Sequence, residues 1–137
     1  MKTLRHSFCD PFKPDVIELG DIESKEVISR FEQISWDEII FNMGKANKSD
    51  IHYSPSLEFE DETTKHGIVV SGVGTSSLEE FYVSYKRPKR VKILFGLIER
   101  DNPEYYTDVT GQTKEDVIEI LNAFITGKYD FLDSKIK

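Results

Sequence analysis

The period of the hydrophobic pattern changes twice along this chain, and that change limits what it can fold into. Leu57 and Phe59 alternate with Glu58 and Glu60, as a half-buried strand requires. Glu62 to Gly67 is turn chemistry, and Ile68-Val69-Val70 opens a second strand rich in β-branched residues. Gly72 and Gly74 with Thr75, Ser76 and Ser77 read as the next turn. Phe81, Val83 and Tyr85 then alternate with Tyr82, Ser84 and Lys86. Arg87-Pro88-Lys89-Arg90 reads as a hairpin loop, since proline suits the first central position of a type I turn. Val91, Ile93, Phe95 and Leu97 predict a fourth strand, apolar on both faces at its far end, as a covered central strand would be. Asn102-Pro103 marks a turn, and Glu104 to Val109 a fifth, edge strand. Sequential strands joined by short turns imply an antiparallel meander, not parallel βαβ units.

On either side of this region the period is helical. Val27, Ile28, Phe31 and Ile34 make one apolar stripe over 22–34, with Ser24 as its cap. Ser35-Trp36-Asp37-Glu38 has the form of a capping box, and Ile39, Ile40 and Met43 share a face with Trp36. A strand over Glu38 to Met43 is the competing reading. Thr113 with Asp116 opens the clearest helix, 113–126; Val117, Leu121 and Phe124 form its stripe and Gly127 its stop. Pro11, Pro14 and Gly20 mark 1–20 as an irregular arm, and Tyr129, Phe131, Leu132 and Ile136 can pack the tail onto the body. The fold expected is α+β in a single domain, 1–137. It has a helical region at 22–46 and a four- to five-stranded antiparallel meander at 55–110, packed by the N-terminal helix pair and the C-terminal helix.

Aromatic residues make up 12% of the 137 residues, enough to bury a core and to argue against disorder. Lys2 and Arg5 precede no apolar run of the kind a signal peptide needs, and a single cysteine, Cys9, forms no intrachain disulfide. Both point to the cytoplasm. Eighteen Lys and Arg against 25 Asp and Glu give a formal net charge of −7, which disfavours nucleic acid and anionic membranes and favours a basic partner. The charge is uneven. Acids dominate Asp15 to Glu38 and surround Phe59, whereas Lys86, Arg87, Lys89, Arg90 and Lys92 form a basic run. Bases beside Tyr82, Tyr85 and Phe95 are the pattern of single-strand nucleic-acid binding, but a solvated hairpin tip that protects a sheet edge accounts for them more simply.

No residue pattern here specifies catalysis. His6 and Cys9 have ligand-like spacing but fill half a zinc shell, and no metal or cofactor is expected. Gly72-Val73-Gly74 lacks the third glycine and the following helix of a dinucleotide cradle. Asp50, His52 and Ser54 lie close together without a readable oxyanion hole. Glu58 and Glu60 share one strand face, at a spacing a glycosidase could use and any acidic strand also shows.

Tyr53–Glu60, Val70–Gly74, Glu80–Lys89 and Thr110–Val117 together resemble the small immunity proteins of bacterial polymorphic and contact-dependent toxin systems. The resemblance spans roughly 35–126, lies at the level of architecture and carries no binding residue across. It implies a non-catalytic cytoplasmic protein that neutralises a cognate, basic toxin by direct binding. From the residues themselves, the docking surface expected is Glu58, Glu60, Asp61 and Glu62 on the first hairpin, with Asp37 and Glu38 on the second helix as alternates. The alternative is a small-ligand or enzymatic domain with a pocket between sheet and helices, using His52 or His66. A homodimer through an exposed edge strand is a third possibility, and the sequence does not choose between monomer and dimer.

Overall fold

The computed structural model describes the backbone of residues 3–93 and 98–137, and side chains over 3–89 and 105–137. It is α+β, with one antiparallel sheet of six strands: β1 (Thr3–Cys9), β2 (Ile17–Glu23), β3 (Ser56–Asp61), β4 (His66–Gly74), β5 (Leu78–Ile93) and β6 (Ile98–Gln112). The strand order is β2-β1-β3-β4-β5-β6. The meander is therefore present as β3 to β6, and two N-terminal strands extend it. The expected irregular arm is this β1–β2 hairpin. Its signal was masked by Pro11 and Pro14, which lie in the connection, and by Gly20, whose φ of +82° accommodates a register shift opposite His6 and Ser7.

The basic run is not a hairpin loop. β5 continues through Arg87-Pro88-Lys89 to Ile93, and β6 likewise runs through Asn102-Pro103. Both prolines fall where the β5–β6 register shifts, between Arg87↔Tyr105 and Lys89↔Asn102. A proline has no N–H for the ladder and is tolerated at such an irregularity. The expected fourth strand is thus divided between the end of β5 and the start of β6; Leu94 to Leu97 lie outside the described residues. Nor is it central, since β6 forms the sheet edge.

The helices are α1 (Val27–Gln33), α2 (Trp36–Lys45), α3 (Lys114–Ile125) and α4 (Tyr129–Lys135). α1 starts later than its apolar stripe suggests, because β2 runs to Glu23 and a 3-10 turn over Ser24–Glu26 follows. α2 is a helix as expected, but Ser35 makes no side-chain cap; the Asp37 carboxylate instead accepts the backbone N–H of Leu78 at 2.7 Å. The capping box of α3 is complete, with Asp116 N to Thr113 Oγ1 at 3.1 Å and Thr113 N to Asp116 Oδ2 at 3.0 Å. α3 ends in a Schellman pattern, Lys128 N to Ala123 O at 2.8 Å and Gly127 N to Phe124 O at 3.3 Å, with Gly127 at φ +73°.

All four described helices contribute to one core. Its strand members, Leu4, Leu57, Phe59, Ile68, Val70, Phe81, Val83 and Tyr85, share one sheet face. Against them pack Val27 and Phe31 from α1, Trp36 from α2, Val117, Leu121 and Phe124 from α3, and Leu132 from α4. Fully burying an aliphatic or Phe side chain contributes about 1.5–3 kcal/mol. Trp36 lies over Gly72, which is a β4 residue and not part of the turn: a Cβ there would meet Trp36 Cε3 at 2.9 Å. The opposite parity carries Arg5, Ser7, Ser56, Glu58, Glu60, Val69, Ser71, Tyr82, Ser84 and Lys86, none of them buried. Among the described residues no helix lies over that sheet face.

Arg87, expected in solvent, is 5% exposed on the helix side. Its guanidinium lies over the rings of Tyr85 (4.3 Å) and Tyr105 (4.8 Å), donates to Thr107 Oγ1 at 2.6 Å, and pairs with Asp133 at 3.1 Å. This ties α4 to the sheet. Lys86, its neighbour, points to the other face, so the basic run is split by the pleat.

Gly72→Ala should cost about 1–3 kcal/mol by forcing Trp36 off the sheet, read by denaturant unfolding with Trp36, the chain's single tryptophan, as the fluorophore. Thr113→Ala should cost about 1 kcal/mol through loss of the α3 cap, measured the same way.

Candidate functional site

The acidic residues of the first hairpin divide by strand parity. Asp61 has the same parity as Leu57 and Phe59, so it lies on the covered face and is 4% exposed. Its carboxylate accepts the backbone N–H groups of Thr63 at 3.0 Å and Thr64 at 3.4 Å, which shapes the β3–β4 turn. Asp61 is therefore a turn residue and does not belong to a docking surface. Glu58, Glu60 and Glu62 converge on the uncovered side, in a concavity of about 380 Å³ shared with Arg5, His6, Ser7, Glu18 and Lys65.

The register explains this convergence. β1 sits beside β3, pairing Ser7 with Glu58 and Arg5 with Glu60, and β2 brings Glu18 opposite Ser7 and Asp21 opposite Arg5. Arg5 sits among carboxylates, 3.6 Å from Glu62, 3.8 Å from Glu18 and 4.0 Å from Asp21. All four side chains are largely exposed, so these pairs add little stability and leave the carboxylates accessible. Sequence reading missed Arg5, Glu18 and Asp21 as neighbours of this site because it placed the first two in an irregular arm and left Asp21 between that arm and the first helix. Their alternation with Leu4 and Ile22 is the signal that could have found them.

Glu60 and Lys86 form the less exposed pair of the face, at 3.1 Å. Gly67 lies between them in register, and a Cβ there would come within 3.4 Å of the Lys86 side chain. Burial works to lower the Lys86 pKa, but the Glu60 hydrogen bond and charge outweigh it, with Tyr106 and Glu58 adding to the effect, and the net shift is upward. Among the described residues Glu58 forms no such close ion pair. Burial raises its carboxyl above the usual range; Lys86 opposes this, while Glu60 and Glu18 add to it. The Cys9 thiol is also raised, by burial and then by the Glu58 charge. Because Glu60 is engaged by Lys86, the two glutamates do not form a free acid–base pair.

Further along the same face, Ser56 and Ser71 hydroxyls meet at 2.8 Å, and Ser84 donates to Asp108 at 2.5 Å. Two aromatic side chains stand out of this face: Tyr82 on β5 and Tyr106 on β6, 41% and 52% exposed. The register puts Tyr106 opposite Lys86 and Tyr82 opposite Ser71. The face therefore combines an acidic concavity at its β1–β3 end with exposed tyrosines at its β5–β6 end.

Asp37 and Glu38 are elsewhere. They border a groove of about 630 Å³ on the helical side, between α1, α2 and the β4–β5 turn. Of the two histidines considered for catalysis, His52 lies in the exposed loop before β3. His66 hydrogen-bonds through Nδ1 to the Tyr85 hydroxyl at 2.7 Å and stacks on Tyr129 at 4.0 Å, against the helical layer. Neither lines the two concavities. Among the described residues no group of three or more His, Cys, Asp or Glu is placed to hold a metal ion, and no described helix is long and apolar enough to cross a membrane.

The raised Glu58 carboxyl has a consequence for stability. The folded chain binds that proton more tightly than the unfolded chain. The contribution is therefore fully present below the unfolded value of about 4.3 and is lost as pH rises through the higher folded value. Glu58→Gln should raise the thermal midpoint at pH 7, with the gain over wild type shrinking to nothing as pH falls below about 4. A gain that persisted at low pH would assign the effect to packing.

The sequence matches no protein-family model, and no curated protein or solved structure was found to match it.

Proposed function

We propose that this protein is a non-catalytic binding domain of the cytoplasm that neutralises a basic protein partner by docking it on the uncovered sheet face, in the manner of a toxin-specific immunity protein. The observation that carries the reading is the convergence of Glu58, Glu60, Glu62 and Glu18, against Arg5 and Lys65, in one concavity of a face with no described helix over it. Carboxylates held on a rigid sheet raise the association rate of a cationic partner and suppress anionic ones. They need little reordering on binding, which limits the entropic cost. The half-exposed Tyr82 and Tyr106 supply the kind of aromatic anchor from which interfaces draw most of their affinity. The overall charge of −7 acts in the same direction.

The test begins with capture of a partner from the native host at low salt and its release at high salt. Glu58→Lys with Glu62→Lys, leaving Glu60 on Lys86, should then lower the association rate with that partner at least tenfold. The wild-type rate should fall with ionic strength, and circular dichroism should show both chains equally folded. An unchanged rate would remove this face from the interface.

A further inference from the structure

We propose that the groove between α1, α2 and the β4–β5 turn seats a short segment of a partner protein in which one large apolar side chain is flanked by Lys or Arg. This second surface lies on the helical side and stands independently of the sheet-face reading.

The floor of the groove is Phe31, Trp36, Leu78 and Phe81. Its indole N–H already donates to the Phe31 carbonyl at 3.1 Å, so the floor presents no free donor and favours an apolar insert. The volume of about 630 Å³ lies within the ~300–1,000 Å³ typical of ligand sites. The mouth is acidic: Glu32, Asp37 and Glu38 are exposed there, against Lys114, which sits 3.7 Å from Glu32. Three carboxylates against the ammoniums of Lys114 and Lys45 still leave a net negative charge around an apolar centre. That combination selects cationic residues on both sides of the inserted one. Phe41, also at the mouth, is 47% exposed and already holds the Lys45 ammonium 4.2 Å over its ring. A partner's Lys or Arg would take the place of Lys45 on that ring face.

The groove is preformed. Asp37 is bonded to the Leu78 N–H at 2.7 Å, and a Cβ at Gly44 would meet the Thr75 carbonyl at 2.7 Å, so α2 and the turn lie in close contact. A site that needs no closure binds a short segment with little ordering cost of its own.

The experiment selects twelve-residue peptides from a random display library on the full-length protein. The selected sequences are then synthesised and titrated while the emission of Trp36 is followed. The expected outcome is enrichment of peptides with one aromatic or large aliphatic residue between basic ones. Their binding should shift Trp36 emission, weaken with salt, and weaken at least tenfold in each of Phe41→Ala and Glu38→Lys. Both substitutions are at exposed positions, and circular dichroism checks their folding. The proposal is overturned if no peptide shifts Trp36, if acidic or uncharged peptides dominate, or if both variants bind as wild type does. A wild-type dimer in sedimentation that Phe41→Ala dissociates would assign the groove to a second copy of the chain, and would overturn it equally.

Discussion

The indole of Trp36 resting on the bare backbone at Gly72 is the contact on which the rest of the arrangement depends. The ring meets Phe81 edge-on at 5.4 Å, Phe31 at 5.8 Å and Phe8 at 6.2 Å, so one side chain links α2 to α1, β1, β4 and β5. Its N–H closes on the Phe31 carbonyl, so the buried indole donor is satisfied. An indole can approach a sheet this closely only where the strand lacks a Cβ, which gives Gly72 its role inside β4. The position of α2 then sets the groove beside it, and the Asp37 to Leu78 hydrogen bond keeps α2 and the β4–β5 turn in register.

The pleat of the sheet decides the electrostatics. Adjacent residues with similar chemistry are sent to opposite environments: Glu60 to solvent and Asp61 to the core side, Lys86 to Glu60 and Arg87 to Tyr85, Thr107 and Asp133. A linear run of charge therefore says little about a surface. The acidic concavity gathers carboxylates from β2, β3 and the β3–β4 turn, separated by about 40 positions in the chain, because β1 is inserted between them in the sheet.

Much of the secondary structure was legible from local pattern. The alternation around Phe59 and Phe81, the stripe of Val117, Leu121 and Phe124, and the Thr113–Asp116 box each report a single element whose burial periodicity survives in the fold. The failures have a common cause. Pro11, Pro14, Pro88 and Pro103 were read as interruptions, yet the first two sit between strands and the last two at a ladder irregularity inside them. A proline's effect depends on whether its missing N–H faces a partner, and only the register answers that. The site was half legible. Glu58, Glu60 and Glu62 were recognisable as an acidic cluster, but Asp61 was not separable from them, and Arg5, Glu18 and Asp21 join them only through the β1–β2 pairing.

By itself, the sequence determined that this chain is an acidic α+β protein with an antiparallel meander, a helical segment before it and a capped helix after it, because periodicity and capping are local properties. Tertiary structure alone decided the sixth strand, the burial of Arg87 and Asp61, the grouping of the carboxylates and the groove beside Trp36. Each of these depends on which strands lie side by side and which face the helices cover, and those are settled by long-range packing that no short window of sequence contains.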